Sequence, residues 1–201
     1  MKLALFDFDG TITTRDTYTK FVISNASIFR LILGGFLLSP LILLNKLKLL
    51  PSPLLRPVIT KLAFKGTKVD DINQRAQDYV HKYLPKVIRP NMLCQIQKHK
   101  EFGDHVVVVS ASISPYLKIW CKGLGIELIC SELEEKDGYF TGSYVNGDCS
   151  GQRKADSIKN TINLDSFEQV IAYGDTKEDH AMLKLAHESY FRGKPFSAND
   201  C

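Results

Sequence analysis

Three stretches of the chain carry unbroken apolar runs that each end on a polar residue. KLALFDFD closes on Asp7 to Asp9, HVVVVSAS (105–112) reaches Ser110 and EQVIAYGD (168–175) closes on Asp175. Continuous rather than alternating Val, Ile and Leu suits strands buried on both faces, as in a parallel sheet. Helical patterns lie around these runs: SPYLKIWCKGL after the second, GQRKADSIKNTI before the third and EDHAMLKLAHE after it. Strand and helix in alternation predict an α/β fold.

Residues 16 to about 90 leave that rhythm. TYTKFVISNASIFRLILGGFLL is followed by a segment broken at Pro40, Pro51, Pro53 and Pro57, and then by VDDINQRAQDYVHKYLPKVI. All of it reads as helical. LICSELEEKDGYFTGSYV (128–145) reads as a β-hairpin with Asp137-Gly138 at its turn. The expected architecture is a doubly wound, Rossmann-like parallel sheet core (1–15 and 91–201) with an inserted α-helical cap (16–90).

In such sheets ligands bind beyond the carboxyl ends of the strands, where Asp7, Asp9, Ser110 and Asp175 all fall. A carboxylate pair at one strand end, taken alone, is equally well a turn at Asp9-Gly10. The convergence of three strand ends changes that. Asp7, Asp9 and Asp175 cannot stay ionised together without a cation, and Mg²⁺ suits oxygen ligands and phosphate alike. A carboxylate there can attack phosphorus, and a second one can protonate the leaving oxygen and then deprotonate water. Ser110 and Lys154 are candidate donors to the phosphoryl oxygens.

DFDGT resembles the DxDxT nucleophile motif of the haloacid dehalogenase-like hydrolases. Ser110 fits their second motif, Lys154 in DCSGQRK their third and GDTKED (174–179) their fourth, in order along nearly the whole chain. SELEEKDGYFTGSYVNGDCSGQRK further resembles the subfamily that includes phosphoserine phosphatase. The resemblance implies Asp7 as nucleophile and Asp9 as general acid/base. It also implies a phosphate cradle of Gly10, Thr11, Ser110, Ala111 and Lys154, with Thr11 bracing the loop. Mg²⁺ would be held by Asp7, Asp175 and the Asp9 carbonyl, with Asp179 a ligand or one step behind. The chain has Asp16 where that subfamily usually has Glu, and Glu178 where it has Asn. Arg56 is the candidate for its substrate-carboxylate arginine. Asp16, Arg56 and Glu178 are thus candidate substrate contacts, and the departures leave the substrate open.

Charge adds to this. The formal net charge is +4, but no acidic residue occurs between Asp16 and Asp70, while Lys20, Arg30, Lys46, Lys48, Arg56, Lys61, Lys65 and Lys68 do. An anionic partner is expected, either a phosphate compound (a phosphorylated small molecule or a lipid phosphate) or a membrane surface. LILGGFLLSPLILLN (31–45) is a charge-free run of fifteen residues, shorter than the roughly 20 a membrane span needs. The favoured reading is a helical hairpin turning at Ser39-Pro40 with its apolar face buried in the cap. The sharper one is peripheral membrane contact through residues 28–50. The apolar, basic cap and Asp16 are similar to a bacterial branch that includes phosphatidylglycerophosphatase C, which would make the ester lipid-linked.

Five cysteines (Cys94, Cys121, Cys130, Cys149 and Cys201) without a CxxC fit a reducing, cytoplasmic setting, or the inner face of the membrane, rather than a disulfide scaffold. No secretory signal is expected, since Asp7 cuts the apolar start short. His81, His99, His105, His180 and His187 form no HxxxH pair, and Trp120 reads as packing. A dehalogenase would need neither Asp9 nor the acidic fourth motif. A lipid-surface binding module with a degenerate core would have lost Asp7, Asp9 or Lys154. Nucleic-acid binding is not expected, because the basic cap interleaves aliphatic rather than aromatic residues.

Overall fold

The computed structural model describes residues 1–47 and 49–196, so Lys48 and Cys201 lie outside the described residues. The first half runs β1 (Leu3–Phe6), α1 (Thr17–Asn25), α2 (Ile28–Lys46), α3 (Ser52–Phe64), α4 (Val69–Lys82) and α5 (Pro90–Glu101). There follow β2 (His105–Ile113), α6 (Ser114–Leu124), β3 (Glu127–Ser131), β4 (Leu133–Lys136) and β5 (Tyr139–Tyr144). The chain closes with α7 (Gln152–Thr161), β6 (Val170–Gly174), α8 (His180–Leu183), β7 (Glu188–Phe191) and β8 (Lys194–Pro195).

Six strands form one sheet in the order β3-β2-β1-β6-β7-β8, parallel except for β8. β1 is central, and Leu3 to Phe6 are fully buried. Its alternate residues serve two cores, as the continuous apolar run requires. Ala4 and Phe6 join Val106, Val108 and the apolar residues of α1, α3, α4 and α6 on one face. Leu3 and Leu5 join Val107, Val109, Ile158 of α7 and Met182 of α8 on the other. Register aligns Phe6 with Val108 and with Tyr173. Asp7 and Asp175 therefore leave the sheet side by side at its carboxyl edge, next to Ser110 of β2, which continues to Ile113.

The structure corrects the sequence reading in three places. Residues 128–131 are not hairpin: β3 pairs parallel with β2 in the main sheet, and only β4 and β5 form the hairpin. Its turn is at Asp137-Gly138, both with positive φ (52° and 78°) as a tight hairpin turn demands. This hairpin leans on the helices, with Gly66 N–H donating to Phe140 O at 2.8 Å and Val69 N–H to Gly138 O at 3.0 Å. EDHAMLKLAHE yields only a 3₁₀ turn (Lys177–Asp179) and the single turn of α8 before the chain extends into β7.

The third correction is the apolar segment. There is no turn at Ser39-Pro40, because α2 runs through both and the chain reverses between α2 and α3. Pro40 has no N–H for the carbonyl of Phe36, which would normally count against a helix interior. The Ser39 hydroxyl donates to that carbonyl at 3.0 Å instead, relieving the loss. Nor is the apolar face core. Ile28, Phe29, Ile32 and Phe36 are each about two-thirds or more exposed, and Leu38 is the buried apolar side chain of α2 among the described residues. No helix among the described residues is long and apolar enough to cross a membrane.

Candidate active site

Asp7 follows β1 directly, and its N–H donates to Tyr173 O of β6 at 2.9 Å. The strand ends there, and the chain makes a wide turn over Phe8–Ile12 closed by Thr13 N–H on Phe8 O at 2.9 Å. Gly10 has φ +85° in this turn, and a Cβ there would lie 2.3 Å from Asp175 Oδ2. Only glycine lets the loop come this close to the acidic residue.

Lys154, at the start of α7, is buried and binds two carboxylates. Its Nζ donates to Asp7 Oδ1 at 2.5 Å and to Asp179 Oδ1 at 2.6 Å. Arg153 turns away and donates to Asn146 O. Burial alone would lower the Lys154 pKa, but Asp7 and Asp179 outweigh it and hold the ammonium charged. Burial pushes the Asp7 carboxyl well above its ordinary range, with the Lys154 ammonium pulling the other way. Burial would also raise Asp179, yet Lys154 and the N–H groups of Thr176 and Asp175 bring it below the usual value. Asp179 Oδ2 accepts from Asp175 N at 3.1 Å, Thr176 N at 2.9 Å and Thr176 Oγ1 at 3.0 Å. Asp175 is raised by burial and by Asp179, and Thr11 Oγ1 donates to it at 3.2 Å.

Asp9 sits differently. Its Oδ1 accepts from Thr17 N at 2.6 Å and Thr17 Oγ1 at 2.5 Å, and its Oδ2 accepts from the Ser112 hydroxyl. Burial raises its pKa to about 6 against those donors. Thr17 and Ser112 were not singled out by sequence reasoning. Ser112 had a signal, because it lies two residues after Ser110 and so on the same strand face.

One cavity of about 320 Å³ gathers the strand-end and helical residues. Asp7, Asp9, Ser110, Ala111, Lys154 and Asp179 line it from the sheet side. Asp16, Arg56 and Glu178 lie in the same walls. Gly10, Thr11 and Asp175 instead line a neighbouring depression, so Gly10 and Thr11 face the acidic cluster rather than the cavity.

Arg56 and Glu178 come together as each other's partner. Arg56 donates to Glu178 Oε2 at 2.5 Å and to Asp148 Oδ1 at 2.8 Å and Oδ2 at 3.1 Å. Asp148, buried, had no sequence signal. Asp16 caps α1, accepting from Thr19 N at 3.0 Å. Replacing Arg56 by Met leaves Asp148 buried without its cation. We expect a stability loss of roughly 2–4 kcal/mol by denaturant titration, largely recovered in Arg56→Met/Asp148→Asn.

Ligand atoms of Asp7, Asp175 and Asp179 all lie within 4.8 Å of one another. An all-oxygen, mostly buried donor set of this kind fits a hard divalent cation such as Mg²⁺.

The haloacid dehalogenase-like hydrolase family matches residues 4–184. The chain belongs to this family. Among relatives, it is 28% identical over 207 residues to protein CicA of Caulobacter vibrioides, covering 96% of this chain and 88% of that protein. Its fold is similar to that of a Bordetella pertussis Tohama I protein of unknown function (TM-score 0.76, 17% identity, 94% of this chain and 88% of that one). It is also similar to a substrate-bound phosphoserine phosphatase (TM-score 0.66, 18% identity, 94% and 85%). At these identities the two structures speak to the fold.

Proposed function

We propose that this hydrolase is a Mg²⁺-dependent phosphomonoesterase working through an aspartyl-phosphate on Asp7. The observation that carries the reading is the contrast between the two carboxylates after β1. Asp7 rests against the Lys154 ammonium, within reach of Asp175 and Asp179. Asp9 is held by Thr17 and Ser112, and burial raises it to about 6. Asp7 faces an ammonium and two further carboxylates that could hold a cation, which favour its charged, attacking form, whereas Asp9 meets only hydroxyl and amide donors and suits the proton donor.

Asp7, Asp175, Asp179 and the Asp9 carbonyl would hold Mg²⁺, which when bound supplies positive charge for a carboxylate approaching an anionic phosphoryl group. An Asp7 oxygen forms a bond to phosphorus as the ester P–O bond breaks, and the Asp9 proton passes to the departing oxygen. Asp9, now ionised, takes a proton from a water that attacks the same phosphorus, and the Asp7 carboxylate leaves. Lys154, the Ser110 hydroxyl and the Ala111 N–H receive the phosphoryl oxygens. Gly10→Ala drives a methyl group into Asp175. We expect about a 10- to 100-fold weaker Mg²⁺ affinity by calorimetry.

Residues 16–90 serve as a cap over the core of 1–15 and 91–201, since Tyr18, Asn45, Leu55, Arg56 and Ile59 complete the cavity walls. We read the substrate as a lipid-linked phosphate met by a cytoplasmic protein at the inner membrane face, contacting it through residues 28–50. The exposed apolar face of α2 supports this reading, as do Lys46, Lys61 and Lys65 nearby in the chain. A soluble metabolite such as phosphoserine is the alternative. Against it, Arg56 is already paired, so a substrate carboxylate would have to displace Asp148 or Glu178. The presence of Asp7, Asp9 and Lys154 together counts against a degenerate binding module.

Phosphate release from phosphoserine, glycerol phosphate, nucleotides and phosphatidylglycerophosphate in detergent, with Mg²⁺ or EDTA, tests both levels. The expected result is Mg²⁺-dependent release, fastest on the lipid. Release from soluble esters alone would overturn the lipid reading, and release from none would overturn the phosphatase.

A further inference from the structure

The catalytic cavity adjoins a second groove of about 280 Å³ between α1, α2 and α3, and the two share Tyr18, Thr19 and Ile59 as walls. The groove is apolar. Val22, Leu38, Ile42 and Leu62 line it together with the backbones of Gly34 and Gly35. Its charged neighbour, Arg30, is committed elsewhere, donating to Ala63 O and Lys65 O at 2.7 Å at the end of α3. The Tyr18 hydroxyl is likewise anchored on Arg56 O at 3.0 Å and Thr60 Oγ1 at 2.8 Å. The Thr19 hydroxyl is committed to Asp16 Oδ2 at 2.5 Å, so what remains facing the groove is mostly hydrocarbon.

The two glycines have no packing reason to be glycine. A Cβ at Gly35 would meet nothing within 4 Å, and one at Gly34 would meet Leu62 Cδ1 at an ordinary 3.8 Å. Neither has the positive φ that excludes a side chain. Each weakens the middle of α2 relative to alanine. Their joint effect is to keep the groove open. An open, apolar trough that starts at the catalytic cavity fits an occupant with a charged end and an apolar tail.

We infer that this groove seats the hydrocarbon chain of the substrate whose phosphate Asp7 attacks, an inference that rests on the phosphomonoesterase reading. The substrate class is an alkyl- or acyl-bearing phosphomonoester, its chain passing Tyr18 and Ile59 to lie along Gly34 and Gly35. The exposed apolar face of the same helix suits a protein that takes such a chain from a lipid surface.

The test is kcat/KM for n-alkyl phosphates from ethyl to octyl, at concentrations below micelle formation, in the wild type and in Gly35→Leu. In the wild type the value should rise by up to about fourfold per methylene. In Gly35→Leu the octyl-to-ethyl ratio should fall at least tenfold, on the order of what losing a few buried methylenes costs. Damage to the fold would lower both esters and cancel in the ratio. Phe102→Ser, exposed at the end of α5 and away from both cavities, should leave the ratio in place. A wild-type ratio near one, or a ratio that Gly35→Leu does not lower, overturns the groove while leaving the phosphatase standing. If no ester is hydrolysed, the phosphatase reading fails, and the groove is then decided by calorimetry with octylphosphonate and ethylphosphonate. Tighter octylphosphonate binding that Gly35→Leu removes supports the groove. Equal affinities, or a preference that Gly35→Leu leaves intact, overturn it.

Discussion

Asp7→Asn is expected to abolish phosphate release, with kcat falling on the order of 10⁴- to 10⁶-fold, as removal of a covalent nucleophile does elsewhere. The side chain is nearly isosteric, so the loss should not come from unfolding. Asparagine keeps an oxygen toward Lys154 and gives up the negative charge that attacks phosphorus. Two of the three carboxylates remain in the acidic cluster, so the variant should still bind Mg²⁺, more weakly. Calorimetry alongside single-turnover phosphate release separates the two effects. A variant that retained a tenth of its activity would move the nucleophile away from Asp7.

Asp9→Asn is the second large effect, expected to cost about 10²- to 10⁴-fold in kcat for esters with poor leaving groups. With p-nitrophenyl phosphate, whose leaving group needs no proton, formation of the intermediate should be much less affected, and its breakdown should become limiting. The pH profile carries the sign. Burial raises Asp9 to about 6, so the acid form needed for leaving-group protonation is present below that value and is lost above it. For alkyl esters kcat/KM should therefore fall above pH about 6, and Asp9→Asn should remove that limb. A limb that persisted in Asp9→Asn would assign it to another group.

The legible part of this molecule is the part that is buried on both faces. β1, β2 and β6 announced themselves as unbroken apolar runs because each feeds two cores, and their ends carried Asp7, Ser110 and Asp175 to one edge. β3 was folded into the hairpin because ELICS and LEEK are separated by a single residue, and nothing local says that the first pairs with β2 and the second does not. α2 ran through Ser39-Pro40 because a hydroxyl one residue away replaced the missing donor, a contact that composition does not display. Its exposed face was equally hidden, since an apolar run reads the same whether or not something covers it. In the site, the motif residues are local in sequence. Their partners are not: Thr17 and Ser112 bind Asp9 from α1 and β2, and Asp148 meets Arg56 across 92 residues of chain. Such pairings are set by the tertiary fold.

Asp7 itself is expected to take the phosphoryl group. The most direct measurement is an acid quench of Asp9→Asn in turnover with p-nitrophenyl phosphate and Mg²⁺, followed by peptide mass spectrometry with and without hydroxylamine. A hydroxylamine-labile phosphoryl adduct on Asp7 is expected, accumulating because its breakdown lacks a base. Release of p-nitrophenol with no adduct on Asp7, or with the phosphoryl group on another residue, would contradict this.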